Sequence, residues 1–337
     1  MEAVTLSSRI LAAAEQRNES WTADHIALCE IAAPPFGEGP RGEAFAARLQ
    51  ELGLLELTTD EVGNVYGRYP RSGSGPRLAV SAHLDTVFGP EVDCTVTRHG
   101  SRLRAPGISD DVAGLVLLLA LAEHLGEAEV ELPGELWLVA TVGEENVGNL
   151  RGARKIAADG VQGRPLDGFI TLDTATPGHI IRHGTHSHNF DVTLSGPGGH
   201  AWGDFGVVNP SLTVARIVAA VSGYALPTAP RTTINCGILE GGFAPNAIPQ
   251  QARAHLNLRS ESGQELGRLI EHASQAIAAE IATANAGRVH GPELGVQSEV
   301  SSRPGGETAL ESRLVRAAVA TAEALGQPVA HPYSSTD

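Results

Sequence analysis

Residues 78–85 read Leu78-Ala79-Val80-Ser81-Ala82-His83-Leu84-Asp85. The first five are small or apolar and carry no charge, as a strand buried on both faces does. A histidine and an aspartate follow at its carboxyl end, where open α/β sheets place their ligands. The same arrangement recurs further along. Leu136 to Val142 is a second uncharged run, followed by Glu144-Glu145, and Phe169-Ile170-Thr171-Leu172 is a third, followed by Asp173. Between the first two, Asp111 through Leu125 is an apolar helix that opens just after Asp110. The chain up to about Ala33, residues 43–52 and the stretch near 155–158 are also helical in pattern, and Pro34-Pro35 stops the first of these. Strands alternating with helices predict an α/β domain with a mainly parallel sheet.

After about Gly184 the texture changes. Phe190 to Leu194 alternates apolar and polar residues, as a one-faced antiparallel strand does. An apolar helix from Pro210 to Tyr224 follows, then two alternating strands at 232–239 and 252–259, then a long helix from Glu265 to Ala284. This β-α-β-β-α order predicts a small α+β layer inserted into the first domain. The expected organisation is 1–183 as the first part of the α/β domain, 184–300 as the insert and 301–337 as the second part.

Composition excludes several classes. Of 337 residues, 24 are Lys or Arg and 39 are Asp or Glu, which gives a formal charge of −15, and Lys155 is the only lysine. Such an acidic chain is a poor match for a phosphate backbone or an anionic membrane surface. No apolar run reaches the roughly 20 residues of a membrane helix, and the start lacks the pattern of a signal peptide. Cys29, Cys94 and Cys236 are odd in number and far apart, so they read as thiols of a reducing, cytoplasmic setting rather than a disulfide frame.

Four features carry chemistry. In His83-Leu84-Asp85 the aspartate can stand behind the imidazole and fix its tautomer; alone, the pair suits a loop histidine with an aspartate turn. Asp110 can bridge two cations, although Asp110-Asp111 alone suits helix capping. Glu144-Glu145 alone suits an ordinary acidic loop; brought into one dry pocket the two carboxylates repel, which is costly without a cation, and with one Glu145 can ligate while Glu144 serves as a general base. Asp173 is a further ligand or a turn former. All four converge on one sheet edge, and histidine with several carboxylates is a zinc-like set suited to two-metal hydrolysis. His183, His186 and His188 form a competing cluster without supporting carboxylates and read as solvent-facing. Gly196-Pro197-Gly198-Gly199 is too loose for a nucleotide loop.

These residues resemble the di-zinc hydrolase family of peptidase T, carboxypeptidase G, aminoacylase and succinyl-diaminopimelate desuccinylase. The resemblance rests on residues 81–87, 107–114 and 141–145, on Leu172-Asp173, on Gly198-Gly199-His200, and on Gly241-Gly242 with Asn246-Ala247-Ile248-Pro249. It implies a zinc-exopeptidase-like catalytic domain with a ferredoxin-like lid that also dimerises. One zinc would be held by His83, Asp110 and Asp173, and a second by Asp110 and Glu145, with Co2+ or Mn2+ as substitutes. Glu144 would be the base, Asp85 would orient His83, and His200 would stabilise an oxyanion across a homodimer. Asn246 and Arg303 would contact substrate. Val112 departs from the family, where lysine is common. The family also places a last histidine ligand beyond the motif Ser335-Thr336-Asp337, where this sequence stops, and His331 precedes that motif. The second zinc is therefore expected to lack a ligand here.

The resulting expectation is a metal-dependent hydrolase of small peptides. An aspartate at position 173 resembles the aminopeptidase and dipeptidase branch, so a di- or tripeptide aminopeptidase comes first. An N-acyl-amino-acid deacylase or a carboxypeptidase G-like enzyme is the alternative. The non-enzymatic alternative is a ligand- or partner-binding protein on the same fold, against which Glu144 argues.

Overall fold

The computed structural model describes residues 2–173 and 176–334. The chain forms two compact units: one comprises residues up to His179 with 316–330, and the other comprises 180–315 with the segment that starts at His331.

The first unit contains, in order, α1 (Glu2–Cys29), α2 (Gly39–Glu51), β1 (Leu55–Thr59), β2 (Val65–Arg68), β3 (Arg77–His83), a small hairpin of β4 (Thr97–His99) and β5 (Arg102–Arg104), α3 (Val112–Glu127), β6 (Glu135–Thr141), α4 (Arg151–Asp159) and β7 (Gly168–Thr171). Its five-stranded sheet has the order β1-β2-β6-β3-β7. β3 runs parallel to both β6 and β7, whereas β2 pairs antiparallel with β6 and with β1. The sheet is therefore mixed rather than mainly parallel. The cause is local. The Asp60 Oδ1 accepts the main-chain N–H groups of Val62, Gly63 and Asn64, so β1 and β2 are joined by a tight turn, and a turn this short connects only antiparallel strands.

β3 is the axis of this unit. From Ala79 to His83 only Val80 reaches 8% exposure. One core packs α3 (Leu115, Leu118, Leu119) and α2 (Phe45, Leu49) against the sheet. A smaller cluster of Trp137, Val139 and Ile156 covers the opposite face. α3 starts where it does because the Asp111 carboxylate accepts the Gly114 N–H, a side-chain cap for an otherwise orphaned donor.

The second unit contains β8 (His183–Gly184), β9 (His186–Ser195), β10 (Gly199–His200), α5 (Pro210–Ser222), β11 (Thr232–Gly241), β12 (Ala247–Ile248), β13 (Gln251–Ser260), α6 (Gly263–Ala286), β14 (Gly295–Arg303) and β15 (Gly306–Glu307). α7 (Arg313–Ala324) follows, most of it belonging to the first unit, and β16 (Tyr333–Ser334), again in the second, pairs with β8. Its main sheet, β11-β13-β9-β14, is antiparallel throughout. Asn209 and Ser262 cap α5 and α6. Both helices pack on one face of the sheet, around Val192, Leu194, Ile217, Leu256, Leu258 and Leu269.

Candidate metal centre

The parallel register of β3, β6 and β7 brings their carboxyl ends to one edge. His83 closes β3, Glu144 and Glu145 lie just past β6, and Asp173 lies just past β7. Ligand atoms of His83, Asp110 and Asp173 all lie within 4.8 Å of one another, and so do those of His83, Glu144 and Glu145. The structure thus gathers five of the predicted residues at one place. Thr174, beside Asp173, and the Ser335-Thr336-Asp337 motif lie outside the described residues.

The two adjacent aspartates divide the work. Asp110 is half exposed, and its Oδ1 lies 2.9 Å from His83 Nε2. Asp111 is buried; besides capping α3, its Oδ2 accepts the His83 main-chain N–H at 2.9 Å. The peptide bond between them is cis.

Asp85 is also placed differently from a simple partner behind the imidazole. His83 Nδ1 is 2.9 Å from the Asp85 main-chain oxygen, and the Asp85 carboxylate stands 3.7 Å away, beyond hydrogen-bond reach. The backbone carbonyl accepts the Nδ1 proton and fixes the tautomer. The carboxylate instead accepts the main-chain N–H groups of Glu144 and Glu145.

That tautomer is a test of fit for a cation. With Nδ1 as donor, neutral His83 presents a lone pair at Nε2, and this faces the oxygen of Asp110. Two acceptors 2.9 Å apart need a positive centre, either a proton or a metal ion. Burial by itself lowers the His83 pKa, but the neighbouring carboxylates of Asp110 and Asp85 reverse that effect and push it up to about 12. Burial drives Asp111 up to about 8. Burial and the Asp110 charge also raise Glu145. Crowded carboxylates beside a cation-seeking histidine fit a divalent metal.

The family model for peptidase family M20/M25/M40 matches residues 79–336. The chain belongs to this family. The M20/M25/M40 relatives include a probable carboxypeptidase of Ajellomyces dermatitidis, 27% identical over 78% of this chain and 65% of that protein. A succinyl-diaminopimelate desuccinylase of Legionella pneumophila is 27% identical over 64% of this chain and 62% of that protein. The chain thus spans less than two thirds of the length of these curated relatives. Among solved structures, a tripeptidase from Staphylococcus aureus is 21% identical with a TM-score of 0.75, over 96% of this chain and 85% of that chain. The dipeptidase Dug1p from Saccharomyces cerevisiae is 11% identical, also with a TM-score of 0.75, over 99% and 88%.

In this M20/M25/M40 chain the remaining predicted residues belong to the second unit. His200 and Asn246 come together on a two-stranded ribbon: β10 pairs with β12, and the Asn246 carbonyl accepts the Ala201 N–H at 2.9 Å. Both side chains are exposed. The His200 Nδ1 accepts the main-chain N–H groups of Trp202 and Gly203, which leaves its proton on Nε2. Arg303 ends β14, opposite Ser187, and is half-buried.

The histidine cluster needs correction. His183 and His188 are each only 8% exposed. His183 stacks on Tyr333, and His188 packs edge-on against Phe190 while its Nδ1 pairs with Ser302 Oγ at 2.6 Å. They are packing residues rather than solvent-facing ones: His183 lies between the short strands β15 and β16, and His188 lies inside the main sheet between β13 and β14. Sequence reasoning also passed over Arg41, Glu38 and Arg151. Nothing in Glu38-Gly39-Pro40-Arg41 distinguishes it from an ordinary polar turn.

Proposed function

We propose that this chain is a metal-dependent hydrolase of peptide and amide bonds in small substrates, foremost a di- or tripeptide aminopeptidase. The observation that carries the reading is the gathering of His83, Asp110 and Asp173 ligand atoms within 4.8 Å, with Glu144 and Glu145 at the same edge. Family membership supports the reaction class, and Asp173 in place of a glutamate supports the aminopeptidase branch. On this reading His83, Asp110 and Asp173 hold one Zn2+, and Asp110 with Glu145 the other; Co2+ or Mn2+ can replace them. Zinc bound there supplies Lewis acidity and lowers the pKa of water towards about 7.

The protein residues then have distinct tasks. Glu144 takes the proton from the attacking water and returns it to the leaving nitrogen. Asp85 holds the Glu144-Glu145 loop by its main-chain N–H groups while its carbonyl fixes the His83 ring. His200 offers an Nε2–H, the form that stabilises a developing oxyanion. Asn246 beside it contacts substrate, and Arg303 grips a substrate carboxylate.

The second unit acts as the lid and as the dimer interface, mainly through residues 184–300. Its β-α-β-β-α-β order and antiparallel sheet support a ferredoxin-like lid. Sedimentation at micromolar concentration is expected to give a homodimer; a monomer would leave His200 without a partner site. The setting proposed is cytoplasmic. No helix among the described residues is long and apolar enough to cross a membrane.

A second reading, an N-acyl-amino-acid deacylase or carboxypeptidase, is favoured by the desuccinylase and carboxypeptidase relatives. The deciding experiment is a screen of dipeptides, tripeptides and N-acyl amino acids with and without added zinc or cobalt. Glu144→Ala separates enzyme from binding protein: turnover is expected to disappear with zinc still bound. Unchanged dipeptide hydrolysis in that variant would remove Glu144 from its role.

A further inference from the structure

We propose that the stretch from Phe36 to Arg41, which leads into the start of α2, is a brace that sets both loops of the metal centre, with Arg41 the positioning residue on which zinc affinity depends. The proposal rests on the assignment of His83 as a zinc ligand.

Arg41 is fully buried. Its Nη1 donates at 2.7 Å to the carbonyl of Leu84, the residue between His83 and Asp85. Its Nε and Nη2 donate to the Ile31 carbonyl at 3.0 and 2.6 Å, and Nη2 also reaches the Cys29 carbonyl at 3.4 Å. Beside it, the Thr86 N–H donates to the Ala33 carbonyl at 2.9 Å. The segment that follows His83 is thus stitched to residues 29–33 by one guanidinium and one main-chain bond. Every hydrogen-bond acceptor of Arg41 among the described residues is a backbone carbonyl. Burying a cation without a bonded carboxylate is costly, and core packing alone would be served by methionine or leucine. A planar fork that reaches three carbonyls at once is what arginine offers and lysine lacks.

The same stretch reaches the second loop. Glu38, only 3% exposed, accepts from Arg151 Nη2 at 2.7 Å. The Arg151 guanidinium lies 4.4 Å from the centre of the Phe36 ring. It also fills the space beside Gly143, where a Cβ would come within 2.0 Å of Nη1. Gly143 directly precedes Glu144-Glu145, so one short stretch backs both loops of the site.

Zinc affinity, measured by competition with a chromophoric chelator, and the visible spectrum of the cobalt-loaded protein test this. The proteins are wild type, Arg41→Lys, Arg41→Met and His83→Ala, with thermal unfolding of each metal-free form recorded in parallel. Arg41→Met is expected to bind zinc about 10–100-fold more weakly, as loss of a group supporting a ligand does. Arg41→Lys is expected to fall between it and wild type, with a shifted cobalt spectrum. His83→Ala is expected to lose tight binding altogether. If His83→Ala loses zinc while both Arg41 variants keep wild-type affinity and spectrum, the brace is overturned and the ligand assignment stands. If His83→Ala binds zinc as wild type does, the ligand assignment itself falls. Should Arg41→Met not fold, Arg41→Lys decides by the same two readouts.

Discussion

The Asp85 carboxylate accepts the main-chain N–H of Glu145 at 2.8 Å, and its other oxygen takes the N–H of Glu144 at 3.0 Å. One buried anion therefore fixes the course of the chain through both glutamates. In Asp85→Asn one oxygen becomes an NH2 group facing an N–H, so one of the two bonds is lost and a donor is left unpaired. Activity is expected to fall by about 10–100-fold, with unfolding free energy lower by roughly 1–3 kcal/mol. Steady-state kinetics and urea unfolding check this; wild-type kinetics in a folded Asp85→Asn would detach Asp85 from the glutamate loop.

Gly143 has φ +65°, and an added Cβ would lie 2.0 Å from Arg151 Nη1. Gly143→Ala therefore meets two penalties, a left-handed backbone and a collision with a guanidinium already held by Glu38. We expect a stability loss of about 1–3 kcal/mol and a fall in kcat larger than any change in KM, since Glu144 moves with the loop. A variant with the wild-type Tm and kcat would show that the loop tolerates displacement.

Much of this site was legible because its residues follow runs that could only be buried strands. Leu78 to Ala82 and Leu136 to Val142 have no charge to turn towards water, so His83 and Glu144-Glu145 had to appear at strand ends. What was not legible depends on partners far away in sequence. Arg41 reads as a surface residue until Leu84 and Ile31 fold over it. β14, Gly295–Arg303, is an edge strand exposed along almost its whole length, so no apolar alternation marked it, and the fourth strand of the second sheet went unpredicted. The antiparallel pairing of β1 and β2 came from the Asp60 turn, and the mainly parallel expectation failed there for that reason. The burial of His183 and His188 likewise depends on contacts made by Tyr333 and Ser302.

Arg77 and Glu135 stand opposite each other where β3 and β6 begin, joined at 2.7 Å. The Arg77 hydrogen bond lowers the Glu135 pKa from an ordinary 4.5 to about 2. An unfolded chain takes up this proton near pH 4.5, and the folded one holds it off until about pH 2. The stabilisation is therefore complete above pH 4.5 and is lost as pH falls towards 2. Glu135→Gln is expected to be less stable at neutral pH by about 1–3 kcal/mol, with the difference narrowing as pH falls from 4.5 towards about 2. Urea unfolding across that range is the measurement, and a difference that stayed constant would exclude Glu135 as the source.

On the proposed reading, zinc stabilises the protein through the same residues that would hold it for turnover. Without metal, Asp110, Glu145 and Asp173 crowd around His83, and the Glu145 pKa is raised by burial and by the Asp110 charge. A cation removes that repulsion only in the folded state, where the ligands converge, so binding adds to stability by mass action. Free zinc at 100 times its dissociation constant contributes about 2.7 kcal/mol. Chelation is therefore expected to lower the Tm and abolish hydrolysis, and added zinc or cobalt to restore both. In His83→Ala the metal-dependent rise in Tm is expected to vanish, because the ligand that anchors the cluster is gone. A rise in Tm of the same size in His83→Ala would mean that zinc binds elsewhere on the chain, and the site at the ends of β3, β6 and β7 would lose its metal.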